Sequence, residues 1–122
     1  VLFRSWLDKM PRKDLMRWLS IADIAIGELG RSWLSYGSAY EALALSIPFV
    51  GRRDDNLYLS TYDELYPMKS VTNVNEMLSV FEDFIQNPSS YKTMGEKGHS
   101  WYKKYGVEKP IERIEQVINS KN

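Results

Sequence analysis

The sequence predicts an α/β fold: a Rossmann-like, three-layer α/β/α domain. Two short apolar runs, residues 23–27 and 47–51, have the composition of buried parallel strands and stop at glycine. An amphipathic pattern over residues 11–21 precedes the first run, and helix-forming residues 38–45 lie between the two. Strand–helix–strand order indicates right-handed crossovers and a parallel sheet, which helices cover on both faces.

The first elements follow from local signals. Residues 1–6 are apolar and β-prone and predict a strand. Pro11 stands where proline begins a helix well. The helix over residues 11–21 has apolar residues at helical spacing, at Leu15, Trp18, Leu19 and Ala22. Residues 28–36 contain Gly30 and predict a loop.

The middle of the chain changes from loop to helix. Residues 52–67 are polar and aromatic and predict a long loop, followed by a short strand at 69–72. Asn73, with Glu76 three residues later, predicts the capped start of a helix. Pro88 is expected to end that helix.

The C-terminal part predicts two more helices. One runs over residues 89–104 and is expected to close at Gly106 as a C-terminal cap. Pro110 begins the last helix, whose apolar face comprises Ile111, Ile114, Val117 and Ile118. Three or four strands make a thin, partial sheet beside these C-terminal helices. We therefore expect residues 1–122 to be one domain that is part of a longer chain.

Composition restricts the possible chemistry. The 122 residues hold sixteen basic and sixteen acidic side chains, so no basic excess indicates nucleic acid as a partner. Without cysteine, disulfides and thiolate chemistry are excluded. His99 is the single histidine and is expected on the solvated surface, so no metal site is predicted. No transmembrane or signal segment is apparent in the sequence, and a cytoplasmic location is the expectation.

A phosphate site is predicted where the strands end. In an open parallel sheet, ligands bind beyond the carboxyl ends of the strands, which here means Gly27 and Glu28. The loop that follows leads into a helix beginning near Ser38, and a helix amino terminus favours phosphate. Gly37 permits close approach of the backbone. The Glu41 carboxylate, in the first turn, can accept hydrogen bonds from two ribose hydroxyls.

Simpler interpretations of these residues stay open. Glu41 can instead complete a capping box with Ser38 as N-cap. Trp33, in the predicted loop, is equally suited to stacking on a base or sugar and to packing. Residues 52–55 read Arg-Arg-Asp-Asp, for which a self-neutralised charged loop is favoured over a phosphate contact. The tyrosines of the 52–67 segment are expected to anchor the loop, and Trp6, Trp18 and Trp101 are expected to pack.

Three segments together resemble a known family. They are Ala22–Ile26, then Tyr40–Val50 with its Glu-Ala-Leu-Ala helix and Ser-Ile-Pro strand start, and the tail Met94–Trp101 with Lys103–Tyr105. Their order and spacing resemble the C-terminal, donor-binding domain of retaining glycosyltransferases of the GT-B fold (glycosyl transferases group 1). The resemblance covers nearly the whole chain.

The resemblance implies roles for the site residues. Glu41 matches the second of the family's two motif glutamates, which binds the nucleotide ribose. Residues 37–39 (Gly37, Ser38 and Ala39) match those whose backbone amides face the diphosphate, while Gly27 and Glu28 line the donor pocket. The chain departs from the pattern at Trp33, which replaces the first glutamate, and at Ser46, which replaces a glycine. The family's Arg–Lys pair has no counterpart among these residues.

By this resemblance, the chain is the C-terminal part of the donor-binding domain of a glycosyltransferase that transfers a sugar from a nucleoside-diphosphate sugar with retention. The likeness implies no metal and no cofactor besides the donor, and no catalytic residue is assigned. An N-terminal acceptor domain is expected elsewhere in the parent, so this part alone is expected to be inactive. The alternative is a non-catalytic α/β module that binds a protein partner. An open sheet edge also allows self-association.

Overall fold

The computed structural model describes residues 9–29 and 37–122. Its elements, in chain order, are α1 (Arg12–Leu19), β1 (Ala25–Ile26), α2 (Gly37–Ala44), β2 (Phe49–Gly51), α3 (Asp55–Leu59), β3 (Lys69–Ser70), α4 (Val74–Gln86), α5 (Pro88–Tyr102), a π-helical segment (Lys103–Glu108), here called the π-turn, and α6 (Lys109–Ser120). The predicted first strand, and Gly30 and Trp33 in the predicted loop, lie outside the described residues.

The sheet has three parallel strands in the order β1-β2-β3. Ala25 is opposite Phe49, and Val50 is opposite both Ile26 and Lys69. Further ladder hydrogen bonds extend these short strands at both ends, such as that from the Ala25 N–H to the Pro48 carbonyl at 2.9 Å. The mixed α/β class and the parallel sheet are therefore confirmed, although the strands are shorter than predicted.

The two faces of the sheet differ in cover. Ala25 and Phe49 belong to the main core, together with residues of α2, α5 and the π-turn. On the other face Val50 is fully buried, but Ile26 is 51% exposed. Within the described ranges no strand pairs with the outer edge of β1. The layer of helices predicted for the second face therefore does not cover β1 in the part of the chain that is described.

Helix α1 forms as its sequence predicts, one residue after Pro11. Its apolar stripe is only partly buried: Leu19 packs against the core, whereas Leu15 and Trp18 are 43% and 54% exposed. At the other end of the chain, the apolar face of α6 is also uncovered in the described structure, at Ile111, Ile114, Val117 and Ile118. No described helix has the length and apolar character to span a membrane.

Helix α2 ends in a Schellman motif with serine at the glycine position. The Ser46 N–H donates to the Leu43 carbonyl at 3.1 Å, and the Ile47 N–H donates to the Ala42 carbonyl at 2.9 Å. Ser46 has φ +60°, in the left-handed region that glycine adopts without steric cost. This conformation explains physically why glycine suits the position that Ser46 occupies.

Helix α5 packs closely against α2 because two glycines of α5, which have no side chain, lie at the contact. A Cβ atom on Gly95 would lie 2.2 Å from the Ser46 carbonyl oxygen, and one on Gly98 would lie 2.6 Å from Leu43 Cδ2. The two glycines are three residues apart and share one helix face. His99 is next to them and its Nδ1 lies 3.2 Å from the Leu43 carbonyl oxygen, so the expected surface position is wrong: the ring is part-buried.

Three helix starts and ends can be compared with the predictions, of which two are wrong in part and one is confirmed. The segment 52–67 is not all loop, because Asp54 caps α3 by accepting the Leu57 N–H at 3.1 Å. Gly106 does not end a helix, since the π-turn carries the chain on into α6, with Pro110 near the start of α6 as predicted. The cap at Asn73 is confirmed: its Oδ1 accepts the Glu76 N–H at 2.9 Å.

Replacing Gly95 by alanine is expected to destabilise the fold. The added methyl meets a backbone carbonyl, which no rotamer change can remove, so we expect the free energy of unfolding to fall by about 1–3 kcal/mol. Gly37→Ala is the matched control, because a Cβ there meets nothing within 4 Å. Urea denaturation of both variants measures the difference. Equal stability of the two would contradict the close α2–α5 contact.

Ser46→Gly is expected to raise the free energy of unfolding by up to about 1 kcal/mol. Glycine adopts the left-handed conformation without the steric cost of about 1–2 kcal/mol that serine carries. The greater flexibility of glycine in the unfolded chain offsets about 0.5–1 kcal/mol of this gain. Ser46→Val should be destabilising, because a β-branched residue tolerates positive φ poorly. A lower stability for Ser46→Gly than for wild type in urea denaturation would show that the serine side chain matters more than its backbone.

Candidate functional site

The carboxyl ends of β1 and β2 meet at two glycines beneath a phenylalanine ring. A Cβ on Gly27 would lie 2.4 Å from Phe49 Cζ, and one on Gly51 would lie 3.1 Å from Phe49 Cε1. Phe49 is 3% exposed. Gly27, a predicted site residue, therefore has a packing role as well as its position at the sheet edge.

Glu28 continues the ladder beyond β1. Its carbonyl accepts the Arg52 N–H at 3.1 Å, and its side chain is exposed. Because side chains alternate along a strand, Glu28 and Arg52 follow the face of Ile26 rather than that of Gly27. Gly27 and Glu28, predicted together at the end of β1, therefore lie on opposite faces of the sheet.

The amino end of α2 is open to solvent. Gly37 and Ser38 are exposed, whereas Ala39 is fully buried. Gly37 is already part of α2, so Ser38 lies within the helix and is not the N-cap that a capping box with Glu41 requires. The first four N–H groups of a helix have no partner within it and face outward along the axis.

Gly37 has neither packing nor conformation as a reason to be glycine. A Cβ there would meet nothing within 4 Å, and its φ is not positive. A glycine without these constraints leaves the backbone accessible to a ligand. Gly27 and Gly95 differ from it, because neighbouring atoms exclude a side chain at both positions.

Glu41, one turn behind this helix end, forms an ion pair that the sequence did not predict. Its Oε1 lies 2.9 Å from Nη2 of Arg12, the first residue of α1. The Glu41 side chain is only 15% exposed and that of Arg12 is 76% exposed. Arg12 engages one carboxylate oxygen, and the other retains acceptor capacity. The pair is neutral overall, but it holds the Arg12 guanidinium one turn from the amino end of α2.

The charged segment after β2 is neutralised only in part: one of its two arginines, Arg53, forms an ion pair. Arg53 is nearly buried: its Nε donates to Asp55 Oδ1 at 2.7 Å, and its guanidinium also donates to the Tyr66 carbonyl. The same group stacks 4.5 Å from the centre of the Tyr66 ring. Arg52 is exposed and has no ion pair within the described ranges, so the two arginines have different roles.

Seven aromatic residues form one cluster between α2, the 58–66 segment and the C-terminal helices. The aromatic cluster comprises Tyr40, Tyr58, Tyr62, Tyr66, Trp101, Tyr102 and Tyr105. Burial raises the pKa of Tyr40, Tyr58 and Tyr66 well above the ordinary value, so these phenols are neutral at physiological pH. The Trp101 indole donates to the Glu64 carbonyl at 2.9 Å. The expected roles are confirmed for these tyrosines and for Trp101, whereas the packing predicted for Trp18 is wrong, since it is 54% exposed, and Trp6 lies outside the described residues.

No family model, curated protein or solved structure matches this chain. The candidate site is therefore judged by its own geometry: an exposed helix end, a pre-positioned carboxylate and a nearby guanidinium. Trp33 lies outside the described residues, so its stacking role stays a prediction. Among the residues that are described, no cluster of three or more histidine, aspartate or glutamate side chains has the arrangement of a metal site.

Arg53→Ala is expected to lower the free energy of unfolding by about 2–3 kcal/mol. The change removes a desolvated cation–π contact worth about 2 kcal/mol and a hydrogen bond worth about 1 kcal/mol. Arg52→Ala, its exposed neighbour, should change stability by less than about 0.5 kcal/mol. Urea denaturation separates the two. A neutral Arg53→Ala change would contradict its structural role.

Proposed function

We propose that this chain is the donor-binding part of a glycosyltransferase that uses a nucleoside-diphosphate sugar. The observation that carries the proposal is the solvent-open amino end of α2, with Glu41 one turn behind it and Arg12 beside it. This end follows the carboxyl edge of a parallel sheet, where open α/β sheets bind their ligands. In the proposal the complete fold is Rossmann-like with three layers, and the protein acts in the cytoplasm.

In this proposal each group near the helix end has a role. The exposed backbone amides of Gly37 and Ser38 and the helix dipole bind the diphosphate, whereas Ala39, which was predicted to contribute its amide, is fully buried and takes no part. The free oxygen of Glu41 accepts a hydrogen bond from a ribose hydroxyl. Arg12 supplies positive charge near the diphosphate, a role for which the sequence offered only the disfavoured arginines at 52 and 53. These groups stabilise the negative charge that develops on the leaving diphosphate as the sugar is transferred.

An acceptor domain elsewhere in the parent protein completes the proposed reaction, in which the sugar is transferred with retention. The proposal requires no metal and no cofactor besides the donor. Trp33 contacts the base or sugar in this scheme, and Gly27 and Glu28 border the pocket.

The second candidate is a non-catalytic α/β module that binds a protein. It is favoured by the four exposed residues on the apolar face of α6, from Ile111 to Ile118, which a partner would cover. It is also favoured by the salt bridge that already engages Glu41. The open edge of β1 in the described part is the surface at which self-association would occur.

Glu41→Gln is expected to weaken nucleoside-diphosphate binding by about 10-fold or more. The change removes a charge-assisted hydrogen bond, which is worth about 1.5–3 kcal/mol, while keeping the shape of the side chain. Saturation-transfer NMR with UDP, GDP and ADP measures the effect on the full chain. Glu112→Gln, on the exposed helix α6, is the matched control and should bind as wild type does.

Arg12→Ala distinguishes a ligand role of Glu41 from a purely structural one. If Glu41 serves only to hold Arg12, both variants will alter stability alike and nucleotide signals will not change. In our proposal, Arg12→Ala weakens binding of the diphosphate while Glu41→Gln weakens contact with the ribose protons. Absence of saturation transfer from all three nucleotides to the wild-type chain would favour the protein-binding alternative.

A further inference from the structure

A cavity opens within the aromatic cluster, with Tyr40 of α2 in one of its walls. Its volume is ≈ 320 Å³, near the lower limit of about 300–1,000 Å³ that is usual for small-molecule sites. The walls are mainly aromatic: Tyr40, Tyr62, Trp101, Tyr102, Tyr105 and Pro110. The π-turn forms one side, and π-helical segments often occur at functional sites. This volume suits one small ring.

The walls carry hydroxyl groups with unused hydrogen-bonding capacity. The Tyr40 and Tyr62 hydroxyls lie 2.9 Å apart, so one donates to the other and the acceptor of that bond keeps its own proton free. Neither hydroxyl has another partner among the described residues. A ligand bearing hydroxyls would complement these groups.

The charges around this cavity favour a neutral ligand. Lys104 and Lys109 lie 5.0 Å and 4.6 Å from the centre of the Tyr105 ring, so they already occupy the position that a cationic ligand would need. Each lysine is also paired, with Glu64 at 2.7 Å and Asp63 at 2.9 Å. Hydrogen bonding to Lys109 lowers the pKa of Asp63, so the charge of this lysine is already balanced by a carboxylate.

We propose that this cavity, here called the tyrosine cleft, binds the ring of a neutral sugar. The apolar C–H face of the ring packs on the aromatic walls, while its hydroxyls exchange hydrogen bonds with Tyr40 and Tyr62. The tyrosine cleft shares no residue with the proposed nucleotide site, although Tyr40 precedes Glu41 on α2. This inference is therefore independent of the proposed function.

The test is a titration of the full chain with methyl glycosides of glucose, galactose and mannose. NMR follows the indole N–H of Trp101, a residue of the cleft wall whose N–H donates to the Glu64 carbonyl, and this signal can be assigned with a Trp101→Phe variant. We expect saturable shifts in the millimolar range for at least one glycoside. Tyr62→Phe, which removes only a hydroxyl, should weaken binding about 2–10-fold. Tyr102→Ala, at a partly exposed wall residue, should weaken it further.

Two controls make the result decisive. Tyr91→Phe removes a hydroxyl outside the cleft, which donates to Asp83 at 2.8 Å, and should bind glycosides as wild type does. Glu41→Gln should also leave glycoside binding unchanged, which separates this inference from the nucleotide proposal. The inference is wrong if about 100 mM glycoside gives no saturable shift, or if Tyr62→Phe binds the glycosides as wild type does. It is also wrong if benzyl alcohol binds and none of the glycosides does.

Discussion

The contact between Gly95 and the Ser46 carbonyl is the constraint on which the described architecture depends. Helix α5 can lie across the end of α2 only because no side chain separates the two backbones. Ser46 accepts a left-handed conformation to turn the chain there, at a cost of about 1–2 kcal/mol. From this crossing, α5 extends to Trp101 and the π-turn, so the aromatic cluster and the tyrosine cleft both form on a frame that the glycine contact holds.

The same contact determines which end of α2 is available to a ligand. The carboxyl end of the helix is closed by the Schellman motif and by α5, and Ala39, Ala42 and Leu43 are buried along its length. Only the amino end, at Gly37, is exposed. Arg12 then reaches this end from α1 and pairs with Glu41. The candidate site thus consists of the amino end of α2 and the long, exposed side chain of Arg12. Both a helix amino end and a guanidinium attract anions.

Local signals predicted the fold better than they predicted the site. Signals that depend only on neighbouring residues all correspond to observed elements. They are the apolar runs at 23–27 and 47–51, the cap at Asn73 and the helix start at Pro110. Helix α3 was missed although Asp54 is a good N-cap, because the aromatic residues around it obscured the helical pattern. Arg12 and Glu41 meet only in the tertiary fold, and spacing along the chain contains no signal for that pairing.

The Arg12–Glu41 pair does not by itself exclude a nucleotide. Arg12 is about three-quarters exposed but Glu41 is only 15% exposed, so the pair contributes more than a fully exposed ion pair, which is worth about 0–1 kcal/mol. A hydrogen bond to a charged group contributes about 1.5–3 kcal/mol, and a diphosphate at the helix end offers several. Because the ligand would gain more than the pair would lose, Arg12 can turn from the carboxylate to the phosphates. We therefore infer that the salt bridge is a resting arrangement of the proposed site, in which the arginine is kept close to where the diphosphate would bind.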